Sequence, residues 1–334
     1  MKNKSFFSAM LVGLLAFGLT FSSCASSAAK QAIMSASSVD AVRGLNNKLL
    51  WLQSNAQSGG NYIIELSTDE KVEVGGDLFG ICGILGCGYL SYENKNNITI
   101  TLIGIGANRT IFGSGPGRIF DVGSGVTLVL DKNITIQGPS NVAVLQQAHT
   151  DALVSVSSGG TLIMNDGSIT GGMNLNCILN HGGGVEVCGG TFIMKGGTIT
   201  RNASFPVPNP GVIAASKGKY NAISGKNYCY GGGVYVDGTF TKTGGTITGY
   251  ASDSENGNVI KDFAGNNVIQ NHGHAVYFVG SGGKAIDTTV GPEVSFHFSN
   301  GKFSEAKNKK TKRKKIDDEP EEDFSSDDSG ILEE

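Results

Sequence analysis

Charged side chains are scarce in this chain, at 16% of 334 residues, which argues against a helical bundle, an architecture rich in Ala, Glu and Lys. The net charge is only −3, too small to point to nucleic acid or an acidic substrate. Beyond residue 24 no apolar run approaches the roughly 20 residues that a membrane-spanning helix needs. The C-terminal segment ends in charge where a membrane barrel would show alternating apolar strands, against an autotransporter-like design. Another absence concerns period. Glycine is abundant, 50 residues, but never recurs every third position, so collagen is excluded. Many short strands joined by tight turns remain.

The first residues, cationic at Lys2 and Lys4 and uncharged and apolar from Phe6 to Phe21, predict a secretory signal peptide over 1–23. Cys24 directly follows Ser22 and Ser23, an arrangement that resembles the lipobox of bacterial lipoproteins. That resemblance implies a diacylglyceryl group on the Cys24 thiol and a linker over 24–36. Phe21 stands where most lipoboxes have Leu, and Ala25 to Ala29 also suit ordinary A-x-A-like cleavage. At the other end a basic block (Lys307 to Lys315) meets an acidic one (Asp317 to Asp328) with little to bury, predicting a disordered tail over 304–334. Besides Cys24 there are Cys82, Cys87, Cys177, Cys188 and Cys229, an odd number for an oxidising setting. Cys82 and Cys87 suit a loop staple or burial better than a metal, for which a second pair at matching spacing is missing.

Self-similarity sets the fold. TLIMNDGSIT from Thr161, TFIMKGGTIT from Thr191 and TFTKTGGTIT from Thr239 align without gaps, and GGGVEV and GGGVYV precede the last two. HAVYF from His274 repeats the first half, and an earlier diverged copy runs from Ile119 to Gln137. Each copy reads as three short strands with glycine turns, one face apolar in every strand. Stacked parallel at about 4.8 Å, Val154, Val185, Val234 and Val276 form one column. Phe192 then lies between Leu162 and Phe240, and Ile199 between Ile169 and Ile247. This predicts an all-β, right-handed parallel β-helix over 61–303. A capping helix over 37–60 is expected at its N-terminal end, opened by a capping box of Ser37 with Asp40 and carrying Val39, Val42, Leu45, Leu49 and Leu52 on one face. Insertions at 201–230 and 250–271 leave the column as loops, where a solenoid carries its binding chemistry.

The order of WLQSNAQSGGNYIIEL, NITITLIG, GSGVTLVLDKNITIQG, the GGTFIMKGGTIT copies and AVYF followed by DTTVGPEV resembles a family of surface β-helix repeat lipoproteins of host-associated bacteria. The resemblance covers roughly residues 39–298. It implies a pectin-lyase-like β-helix and a cell-envelope address at the outer membrane or cell surface; it supplies no catalytic residue.

Polysaccharide-cleaving β-helices carry NTD, DD, GHG and RIK motifs or acids clustered for Ca²⁺ with an Arg base. The repeat body has none of these: His272-Gly273-His274 inverts the third, Arg109, Arg118 and Arg201 fall in different segments, and the outward acids Asp121 and Glu186 show no cluster. His272 and His274, facing one side if in a strand, begin at most a weak metal site, with His181 one copy earlier. GSGPG at 113–117 lacks the Lys of a phosphate loop and reads as a corner. Tyr235 and Tyr277 are expected as outward neighbours, available to sugar rings or simply stacked on each other. The expectation is therefore a non-catalytic envelope lipoprotein without cofactor or metal, held to a membrane by its lipid and presenting loops to a glycan, a host surface or an envelope protein. A carbohydrate-active enzyme is the alternative, to be distinguished by carboxylates converging in the folded chain.

Overall fold

Alternation of apolar and polar residues over three to seven positions makes each repeat copy a set of short strands. The computed structural model describes residues 36–74, 88–113, 117–138, 151–174, 181–205, 229–261, 267–280 and 282–307, and is mostly strand, at 47%. The strands form three parallel sheets, joined near the C-terminal end by antiparallel pairs. The largest sheet runs through Asn61–Leu66, Ile98–Gly104, Val126–Leu130, Thr161–Met164, Val185–Met194, Val234–Lys242 and Val276–Phe278. The first-half strands Tyr89–Leu90, Phe120–Val122 and Val154–Ser157 join it through Val185–Met194. A second sheet stacks Glu70–Val72, Arg109–Gly113, Ile134–Gln137, Ser168–Thr170, Thr198–Thr200 and Thr246–Ile247. A third holds Met173–Asn174, Ala203–Ser204 and Val259–Ile260.

The core columns follow the sequence alignment. Leu128, Leu162, Phe192 and Phe240 are register partners in series, as are Ile136, Ile169, Ile199 and Ile247, and all are fully buried. Phe120, Val154, Val185, Val234 and Val276 make a third such column. Between the first two sheets the chain turns at residues 131–133, 165–167, 195–197 and 243–245. The last position of each turn has positive φ, +85° at Gly167 and +76° at Gly197, with Asn133 at +59° in the diverged copy. Left-handed backbone favours Gly and, next, Asn, which explains the D-K-N to K-G-G change. One expectation is corrected here: the first two strands of a copy fuse into the single strands Val185–Met194 and Val234–Lys242, the register shifting between Cys188 and Thr191. Gly190 permits this, because a Cβ there would sit 2.6 Å from the Ser157 carbonyl oxygen of the adjacent strand.

The two ends are covered differently from expectation. Val39, Val42, Leu45, Leu49 and Leu52 are all buried, yet they do not share one helix. Residues Val39–Ala41 form a 3-10 turn whose preceding Ser38 makes no side-chain cap, and the α-helix spans only Leu45–Asn55, after Gly44 at φ +78°. The capping box is thus absent. The Glu70 carboxylate takes its place, accepting from the Leu45 amide at 3.3 Å, where negative charge suits a helix N-terminus. At the far end the inward series Met164, Met194 is continued by Lys242, fully buried. Its ammonium donates to the carbonyls of Gly291 (2.7 Å) and Val294 (3.0 Å), fixing the segment that closes the stack. The strands Val294–Ser299 and Lys302–Lys307 then pair antiparallel, so residues 304–307, expected in the tail, belong to the last strand. Phe240, Phe278, Phe296, Phe298 and Phe303 pack ring on ring beneath this hairpin. No helix among the described residues is long and apolar enough to cross a membrane. Cys24, Cys82, Cys87, Cys177 and residues 308–334 lie outside the described residues.

Candidate functional site: a ring ladder beside an arginine-centred acid cluster

Many connections between strands are three residues long, and five long ones enter one set of strands. Residues 73–88, 138–153, 175–184, 205–233 and 261–275 each lead into a first-half strand of the largest sheet. The outward positions of those strands therefore collect side chains from the strand and from the corner before it. In register along the face stand Tyr89, Asp121, Ser155, Glu186, Tyr235 and Tyr277. The corners add Arg118, Asp151, His181, Tyr230 and His272.

Two groups result. The Arg118 guanidinium reaches Asp121 at 3.2 Å, Asp151 at 3.6 Å and Glu186 at 3.0 Å, all four side chains being largely buried. Glu186 also accepts the His181 backbone N–H at 2.8 Å, and Asp121 accepts the Ser157 hydroxyl at 3.2 Å. Burial pushes the Glu186 carboxyl up to about 7 despite Arg118 and the His181 amide, which pull it down. Burial also holds the His181 imidazole down, at about 4, against the opposing charge of Asp237. Beyond this cluster runs a ladder of rings. His181 stacks on Tyr235 with centroids 4.3 Å apart, Tyr230 lies 4.2 Å from Tyr277 and 5.2 Å from His272, and Tyr235 and Tyr277 are 6.1 Å apart and nearly parallel at 7°. Burial raises the hydroxyl pKa of both tyrosines.

The chain matches no family model, no curated protein and no solved structure.

Tyr235 and Tyr277 are vertical neighbours on the outward face, as the alignment requires, but a ring from a corner lies against each. Tyr230 and His181 carry no strand signal, and only their shared place ahead of GGGV marks them in sequence. Two expectations are corrected. Asp121 and Glu186 do belong to a cluster: stacking brings Arg118 within reach of Glu186 across 68 positions of sequence, and Asp151 joins from a corner the repeat pattern does not mark. Arg109 and Arg201 stay apart, donating to the Ile105 carbonyl and the Asn256 side chain. His272 and His274 do not face one side, because both precede the strand Val276–Phe278. His272 is half-buried on the ladder, whereas His274 is fully buried with Nδ1 accepting the Ile260 amide at 3.0 Å. Cys229 is buried and disulfide-bonded. Sequence reasoning also missed the buried Asn202 and Asn258, joined at 2.9 Å, which satisfy backbone groups behind this corner; the Asn two residues after TIT in TITRN was the available signal.

Proposed function

We propose that this chain is an exported, lipid-anchored envelope protein, one of the surface β-helix repeat lipoproteins, whose stacked sheets form a right-handed parallel β-helix. It binds carbohydrate on the ring-ladder face and does not cleave it. The observation that carries the reading is the ladder of rings on one face of the largest sheet, His181 on Tyr235, Tyr235 beside Tyr277, and Tyr230 against Tyr277 and His272. Aromatic rings with polar tips suit sugars, which offer an apolar ring face and a rim of hydroxyls. The helical handedness is supported by the strong right-handed preference of parallel crossover connections.

An enzyme reading has one observation in its favour, the convergence of three carboxylates with a Glu186 poised near neutrality, as a general acid would be. Against it, both Glu186 oxygens are engaged, one by Arg118 and one by the His181 amide, and both Asp121 oxygens by Arg118 and Ser157. Contacts to both oxygens hold the Glu186 and Asp121 carboxyls against protein groups and turn them away from a bound glycosidic bond. The cluster is better suited to bracing the face that bears the ladder.

Purified protein is expected to bind a subset of a glycan array, to lose that binding in Tyr277→Ala, and to release no reducing or unsaturated ends from any bound polysaccharide. Catalytic release abolished by Glu186→Gln would contradict the reading. For the anchor, Cys24→Ala is expected to move the protein from the detergent to the aqueous phase of a Triton X-114 partition, since stable attachment takes more than one acyl chain and no protein span replaces it. A wild-type protein already in the aqueous phase would remove the lipid from the account.

A further inference from the structure

Asp237 follows Tyr235 by two residues on the same strand, so both side chains leave the same face. It is exposed, and among the described residues it makes neither a hydrogen bond nor an ion pair. Its charge nonetheless acts on two members of the ladder, the His181 imidazole and the Tyr235 hydroxyl. Next to aromatic rings, whose faces attract cations, the surface thus carries a carboxylate with no ion-pair partner among the described residues.

We propose that the ladder face selects sugars bearing a free, protonated amine, such as de-N-acetylated hexosamines, with the ammonium on Asp237 and the sugar ring against the tyrosines. This rests on the carbohydrate-binding reading and adds the ligand class to it. Neutral sugars bind more weakly, lacking the ion pair. Uronates and sulfated sugars are repelled by the same charge that holds the amine.

The test is calorimetric titration of the full-length protein with three oligosaccharides of one length: glucosamine, N-acetylglucosamine and galacturonate. The amine form is expected to bind about tenfold tighter than the acetylated one, with an advantage that shrinks as salt rises. The uronate is expected not to bind. Asp237→Asn should bring the two hexosamine affinities to within about twofold while thermal melts stay unchanged. Equal affinities in the wild type, or an advantage that survives Asp237→Asn, overturn the amine selectivity and leave carbohydrate binding standing. Silence from these three and from the whole glycan array overturns both.

Discussion

Phe192→Ala is expected to cost about 3–5 kcal/mol of folding stability, and Ile193→Ala about 1 kcal/mol or less. The residues are adjacent in sequence and similar in hydrophobicity, and the pleat separates them. Phe192 is fully buried, its ring stacked on Phe240 at 4.5 Å and 9°, with Leu162 as its register partner on the other side. Truncation there opens a void between two layers that the parallel hydrogen bonds keep from collapsing. Ile193 sits on the outward face, between Ile163 and Thr241, and loses only partial cover. Urea titrations of the two variants measure the difference directly. Coincident midpoints would mean that the inward and outward faces are assigned wrongly.

The second large effect is expected from Arg118→Gln, at about 3–5 kcal/mol near pH 8. Removing the guanidinium leaves Asp121, Asp151 and Glu186 facing one another with no compensating charge. The loss should shrink as pH falls, because protonation relieves the repulsion. Wild type supplies the reference. The Glu186 carboxyl, raised from 4.5 to about 7 on folding, contributes stability that is fully present below about pH 4.5 and lost as pH rises through 7. His181, lowered from 6.5 to about 4, contributes stability present above 6.5 and lost as pH falls through 4. Between pH 4.5 and 6.5 the two slopes oppose, so wild type is expected to be nearly flat there and Arg118→Gln to weaken steadily as pH rises. Thermal melts across pH 4–8 measure both curves. A variant whose deficit is the same at pH 5 and pH 8 would show that the carboxylates are not charged neighbours.

The repeated TIT and GGGV segments made the core columns readable, because a buried face repeated copy after copy leaves one stacking register. Even the diverged Ile119 to Gln137 copy fits it. The ends were less readable, since apolar spacing at Val39 to Leu52 is the same whether a chain forms one helix or a turn followed by a helix, and Gly44 decides. Lys242 at an inward position has no meaning until Gly291 and Val294 are seen to receive its ammonium. The site divided along the same line. Tyr235 and Tyr277 lie on strands, whose alternation assigns their face. Arg118, Asp151, His181 and Tyr230 lie on corners of unequal length, where no period exists, and only the stacking of copies brings them together.

The central claim, that saccharide binds on the ladder face, is tested most directly by measuring the dissociation constant of the tightest array ligand for wild type, Tyr277→Ala and Thr191→Ala. Thr191 belongs to the outward threonine series Thr127, Thr161, Thr191, Thr239 on the second-half strands of the same sheet. Tyr277→Ala is expected to weaken binding about tenfold or more, and Thr191→Ala to leave it unchanged. Loss in Thr191→Ala with Tyr277→Ala unaffected would put the ligand on the second-half strands, away from the ladder, and contradict the account.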